Sequence, residues 1–279
     1  MVKTISMQKV TWRRYTSAVT SILSFVSSSV HFGWCTEHEY FQVRRMEQIL
    51  SHARDRPFPS HCIDVGMNDG FYTMLMAASG CIVNSFEVQP LCVDIAHVSL
   101  EKNDFGDNVT IHNRLVSDRH EEKFTIPMGR GCDGGFNIRG KLGQKMGHLQ
   151  EALNHNASFH AITLDSLAMH GGHDIQLLKI DTEGHDFKVL SGACRLIRSR
   201  KIESIFIEMY PGVQPTPERN FVTSALFSSG YRATFIGRKD CGAATDEKQF
   251  WAIALHKRRC VDVLFEKLSP IEPTKTEPR

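Results

Sequence analysis

The sequence contains no run of 18 or more apolar residues, so it encodes no conventional membrane-spanning helix. Its eight cysteines (35, 62, 81, 92, 132, 194, 241 and 260) include no Cys-x-x-Cys pair, and the paired-ligand spacing of a zinc site is therefore missing. Net charge is only +2, with acidic and basic residues interspersed, which gives no basic surface for nucleic acid. No internal repeat is present. What remains is an ordinary globular composition, 41% hydrophobic over 279 residues, enough for one large α/β domain or two small ones.

Acidic residues are absent before Glu37, while Lys3, Lys9, Arg13 and Arg14 precede it. "SAVTSILSFVSSSV" (17–30) is apolar enough for a signal core but short and serine-rich. Residues 1–36 therefore read as a targeting segment, secretory or organellar, or as a disordered arm of a cytoplasmic protein. Residues 37–60 read as a helical lead-in, 61–258 as the main domain, and 259–279, with "SPIEPTKTEPR", as a polar tail. Cys62, Cys81 and Cys92 lie in apolar runs, so most cysteines are expected to be reduced, buried thiols. Sequons at Asn108-Val-Thr and Asn156-Ala-Ser matter only in a secretory lumen.

Between the ends, strand and helix patterns alternate. Strands are expected at "HCIDVG" (61–66), "CIVNSFE" (81–87), "NVTIHN" (108–113), 175–181 and "IESIFIEMYP" (202–211). Helices are expected over "FYTMLMAASG" (71–80), from Pro90, over about 185–198, and from Pro217 behind a Thr216 cap. "RLVSDRHEEKFTIPM" reads as a hairpin and the glycine-rich 129–147 as a long loop. "YRATFIG" and "FWAIALH" read as two closing strands without a helix between them. The alternation implies a doubly wound, mostly parallel α/β sheet ending in an antiparallel hairpin.

Four of these strands end in a carboxylate: Asp64, Glu87, Asp181 and Glu208. Ligands of open α/β sheets sit beyond the carboxyl ends of the strands, so four such ends on one rim mark a site. The first loop, "DVGMNDG", supplies Asp64, Gly66, Asn68 and Gly70 without the G-x-G-x-x-G spacing that cradles a pyrophosphate. A loop of that kind suits a cationic head group. Glu87 can accept hydrogen bonds from ribose hydroxyls, and Ser117-Asp118 can meet an adenine edge. A nucleoside with a charged amino-acid tail fits all three: S-adenosylmethionine.

"CIDVGMNDGFYTMLMAASG", "FEVQP", "TLDSL" (163–167), "LLKIDTEGHDFKVLSGA" (177–193) and "IFIEMYP" together resemble the FkbM-type methyltransferases of the class I S-adenosylmethionine-dependent fold. The likeness runs from about Cys62 to Tyr231. The fourth stretch is the most specific, because the family characteristically carries Lys-Ile-Asp-x-Glu-Gly, then an acidic residue and Val-Leu-x-Gly-Ala. His185 stands where a small residue is usual, and Asp186 replaces a usual Glu. The resemblance implies O-methylation of a sugar or other small molecule as the default.

On that basis Asp181 is expected at the methionine end of the cofactor. Glu183, His185 and Glu208 are the candidate bases for a hydroxyl acceptor. Lys179 shares a strand face with Asp181 and is expected to pair with Asp181, Glu183 or Glu208. Competing readings are a Mg²⁺-assisted transfer using Asp181 and Glu208, and a non-catalytic module retaining the fold.

Overall fold

The computed structural model describes residues 11–16, 21–26, 32–51, 53, 58–128, 131–132, 155–167, 174–209, 213–237, 241–256 and 262–268, with side chains from residue 41 onward except residue 155. An antiparallel hairpin, β1 (Thr11–Thr16) and β2 (Ser21–Val26), precedes helix α1 (Phe32–Leu50). The alternating part follows: β3 (His61–Val65), α2 (Phe71–Ala78), β4 (Ile82–Phe86), α3 (Pro90–Asn103) and β5 (Val109–His112). A two-stranded ribbon comes next, β6 (Lys123–Met128) with β7 (His155–His160). The second half contains β8 (Ile175–Ile180), α4 (Asp186–Ser191), α5 (Cys194–Arg198), β9 (Ile202–Glu208), α6 (Pro217–Ser228), β10 (Tyr231–Ile236), β11 (Ala243–Ala244), α7 (Glu247–His256) and β12 (Asp262–Lys267).

The main sheet has eight strands in the order β11-β10-β12-β9-β8-β3-β4-β5. Strands β5, β4, β3, β8 and β9 run parallel, and β12 inserts antiparallel between β9 and β10. From β3 the chain steps outward through β4 to β5, then returns to β8 on the other side. That reversal leaves a crevice beyond the carboxyl ends of β3 and β8.

Both faces of the sheet are covered, which is why the central strands are apolar nearly throughout. Leu178 and Ile180 of β8 join a core built with Phe187, Val189 and Leu190 of α4, Ile197 of α5, Val222 of α6 and Phe250 of α7. Leu177 points the other way, toward Val43, Met46 and Leu50 of α1 and Tyr72, Leu75 and Met76 of α2. The spacing of Val43, Met46 and Leu50 is one helical stripe, and all three are buried.

Several expectations change. "FWAIALH" lies in α7, where Phe250, Trp251 and Ala254 are the buried positions. A short apolar run does not distinguish a buried helix from a strand. The antiparallel ending stands, but its second strand is β12, inside the stretch read as tail. The segment expected to fold on itself contributes only β6, whose partner β7 lies beyond the long loop. Of that loop, residues 129–130 and 133–147 fall outside the described residues. The helix expected over 185–198 breaks at Gly192, where a Cβ would meet the Ser117 carbonyl oxygen at 2.1 Å. Strand β2 of the N-terminal hairpin lies against α2 and α3, a placement that the reading of 1–36 did not include.

The cysteines also depart from expectation. Cys92 of α3 and Cys132 form a disulfide with Cα atoms 4.9 Å apart, and Cys241 is disulfide-bonded as well. Cys62 and Cys81 are buried thiols outside the disulfides, as their apolar settings suggested, and Cys194 is a third. Spacing alone does not reveal which cysteines approach in space.

Candidate active site

At the end of β3 the chain turns through Gly66 (φ +76°) and Gly70 (φ +91°), on either side of Asn68 (φ +53°). Gly66 is required by the fold before any ligand is considered: a Cβ there would lie 1.8 Å from the carbonyl oxygen of Asp181. The amides of Gly66 and Met67 both donate to the Phe86 carbonyl at 2.9 and 3.1 Å, tying the loop to β4.

Just past β4, Glu87 is the anchor of the pocket. Its Oε1 accepts the amides of Val88 and Gln89 at 2.8 and 2.9 Å, and its Oε2 accepts that of Asn68 at 3.0 Å. Burial raises its pKa against the lowering effect of these three amides. A solvent-open cleft runs from Glu87 past Gly66 and Asn68 to Asp181. Phe86, Val88, Leu115 and Val116 form its apolar wall, and Arg114 borders it.

On the far side of the crevice, β8 ends at Asp181. The loop behind it is held by Asp186, whose Oδ1 accepts the Thr182 amide (3.0 Å) and hydroxyl (3.1 Å) and whose Oδ2 accepts the Gly184 amide (3.1 Å). Burial, assisted by the nearby Asp181 charge, raises the Asp186 pKa to about 6. This bracing holds Glu183 (φ +53°) and Gly184 (φ +92°) in left-handed conformations and turns Glu183 into the cleft. Carboxylate oxygens of Asp181, Glu183 and Glu208 come within 4.8 Å of one another. Burial first, then the charges of Asp181 and Glu183, raise the Glu208 pKa far above the carboxylate range.

The expected site residues separate into two groups. Gly66, Asn68, Glu87, Asp181, Glu183 and His185 line the cleft, and Glu208 adjoins it through the carboxylate cluster. Asp64, Gly70, Ser117 and Asp118 are not part of the wall. Asp64 is fully buried behind it, accepting a hydrogen bond from Thr73 Oγ1 (2.8 Å) and pairing with Lys179 Nζ (3.4 Å). Gly70 caps α2 and packs on Ala96. Ser117 is fully buried with its hydroxyl 3.0 Å from His185 Nε2, and Asp118 pairs with Lys188 at 3.0 Å. Lys179 pairs with Asp181 as expected, at 3.4 Å, and with Asp64 rather than Glu183 or Glu208.

Sequence reading missed the apolar wall and Arg114. Phe86 and Val88 look like core in a strand pattern, and nothing local marks Leu115 or Val116 as facing a cleft. The one available signal was position: each lies at or just past the carboxyl end of a parallel strand.

The model of the methyltransferase FkbM domain matches residues 64–233, more than half of the chain. The chain belongs to this family. The match spans the chain from the end of β3 into β10 and so includes the strands on both sides of the crevice. No curated protein matches the chain. Among solved structures, an S-adenosylmethionine-dependent methyltransferase from Agrobacterium tumefaciens aligns over 94% of this chain and 71% of its own, with 8% identity and TM-score 0.47. The methyltransferase domain of METTL16 aligns over 82% and 67%, with 12% identity and TM-score 0.43. WbdD aligns over 86% of this chain but 43% of its own, with 11% identity and TM-score 0.43.

Proposed function

We propose that this methyltransferase binds S-adenosylmethionine along the cleft and transfers its methyl group to a hydroxyl of a small-molecule or carbohydrate acceptor. The observation that carries this reading is Glu87: a carboxylate fixed by three backbone amides, at the wall of the cleft, one strand from the glycine turn. The remaining lone pairs of its two oxygens suit adjacent ribose hydroxyls. The apolar wall of Phe86, Val88, Leu115 and Val116 suits a purine, and Asp181 suits the cationic end. The donor set therefore fits the cofactor.

When bound, the cofactor supplies a methyl carbon on a positively charged sulfur, and the leaving thioether is neutral. The chain must place the acceptor oxygen in line with that carbon and take its proton. Glu183, turned into the cleft by the Asp186 brace, is the proton acceptor in this reading. Glu208, whose pKa is raised by burial and by the charges of Asp181 and Glu183, adjoins them in the carboxylate cluster. His185, fixed by Ser117, shapes the floor beside them. Carboxylates at this end favour hydroxyl donors and disfavour anionic acceptors.

A second reading draws on the same trio. Three carboxylate oxygens within 4.8 Å suit Mg²⁺, which would orient two acceptor hydroxyls. Transfer that is abolished by a chelator and restored by Mg²⁺ selects this reading over the metal-free one. A lumenal setting is supported by the Cys92–Cys132 disulfide, by the bonded Cys241, and by the exposure of both sequon asparagines, Asn108 and Asn156.

Titration with S-adenosylhomocysteine, followed by transfer of labelled methyl groups to a panel of sugars and phenols, tests the proposal. Saturable binding with base-stable labelling of a hydroxyl acceptor supports it. Labelling confined to amines would overturn the O-methylation assignment.

A further inference from the structure

Lys179 is nearly fully buried in the middle of the sheet, where an unpaired ammonium would be prohibitive. Its Nζ has four neighbours. It donates to the Gly66 carbonyl at 3.1 Å, lies 3.4 Å from both Asp64 Oδ1 and Asp181 Oδ2, and sits 4.9 Å from the centre of the Tyr72 ring. Burial opposes its charge, but Asp64 and Asp181 outweigh that effect and push its pKa upward. The ammonium therefore stays charged throughout the working pH range.

These neighbours are unevenly placed. Asp64 lies behind the wall, held by Thr73, which also contacts Ser85 Oγ at 2.8 Å. Gly66 and Asp181 belong to the two loops that form opposite lips of the cleft. Lys179 thus joins a rigid polar layer inside the sheet to both lips at once. Tyr72 extends the layer outward: its hydroxyl donates to Gln42 Oε1 at 2.6 Å, and Gln42 Nε2 donates to Asp262 Oδ2 at 2.6 Å. Asp262 pairs across the strands with Glu208. Gln42 and Asp262 lie outside the 64–233 family match, so this outer arm is built by flanking elements α1 and β12.

We propose that Lys179 is a positioning residue for methyl transfer, acting through Asp181: it fixes that carboxylate, and the Gly66 turn facing it, in the arrangement that receives the methionine end of the cofactor. The proposal rests on the cofactor reading above. A solely structural ion pair would require only that the charge of Asp64 be balanced. A positioning role requires in addition that Asp181 be aimed.

The two differ in a mutant cycle measured with S-adenosylhomocysteine. Lys179→Met alone leaves two carboxylates uncompensated and is expected to fold poorly, so the cycle is built on Asp64→Asn. In that background, Lys179→Met restores neutrality at the buried pair, and the full-length double variant is expected to keep its cooperative thermal transition. Its affinity should nevertheless fall at least tenfold. With Asp181→Asn also present, adding Lys179→Met should change affinity less than threefold, because the group it acts through is already gone. Equal affinity with and without Lys179→Met would overturn the proposal, as would an equal loss in both Asp181 backgrounds. Unfolding of the Asp64→Asn/Lys179→Met chain would also overturn it, since the lysine would then be indispensable to the fold itself. No binding by the unaltered chain would instead sink the cofactor reading.

Discussion

Glu87 and Asp64 show how residues of the same type at equivalent strand ends take different parts. Both end a parallel strand, yet Glu87 faces the cleft and Asp64 faces Lys179. Glu87→Ala removes the acceptor assigned to the ribose and should weaken S-adenosylhomocysteine binding at least tenfold by calorimetry, consistent with about 1.5–3 kcal/mol for a charged hydrogen bond. Glu183→Gln should leave that affinity near normal while lowering single-turnover transfer by about 10²–10⁴, the usual effect of losing a general base. Asp69 provides a pH test. Burial raises its pKa from 3.8 to about 6, partly offset by the Phe71 amide and by Lys179. Its folded pKa thus lies above its unfolded value, so ionisation costs stability as pH rises from about 4 to 6. Asp69→Asn should therefore raise the thermal midpoint at pH 7, by no more than about 3 kcal/mol of stability, and the gain should vanish below pH 4. The strand-end carboxylates were legible because a charge closing an apolar run is conspicuous. The direction in which each points was not, since it depends on partners brought in by other elements, such as Thr73 and Lys179.

Among the elements, the parallel strands and their helices followed from hydrophobic period, glycine stops and proline starts. Helix α7 and strand β12 did not, because short apolar runs such as "FWAIAL" and "VLF" suit either state. Helix α1 is more than a lead-in: it closes one face of the sheet with Val43, Met46 and Leu50 and carries Gln42 to Asp262. A chain starting at Ser60 should lose several kcal/mol of stability, at about 1.5–3 kcal/mol for each large side chain exposed, and unfold at a visibly lower temperature. Helix α3 is tied to Cys132 by the disulfide, beside Asn68, whose Oδ1 lies 3.3 Å from Cys92 Sγ and 2.9 Å from Cys132 Sγ. Peptide mapping without reductant should recover the Cys92–Cys132 link from protein made in an oxidising compartment. Full alkylation of both thiols there would contradict that pairing.

At the scale of the whole molecule, the methyltransferase sheet brings three distant stretches to one crevice: the β3 turn, the β4 end and the β8 end. A sequence reader can place each stretch on a rim, but only the strand order shows that β3 and β8 are neighbours whose lips share Lys179. The central claim is that this crevice is a nucleoside-cofactor site anchored at Glu87. Calorimetric titration of S-adenosylhomocysteine into the pure, folded full-length chain, beside the Glu87→Ala chain, tests it most directly. The account predicts saturable one-to-one binding by the unaltered chain and at least a tenfold loss in the variant, with both proteins showing cooperative unfolding. Absence of binding by the folded, unaltered chain, or equal affinity in the two, would contradict it.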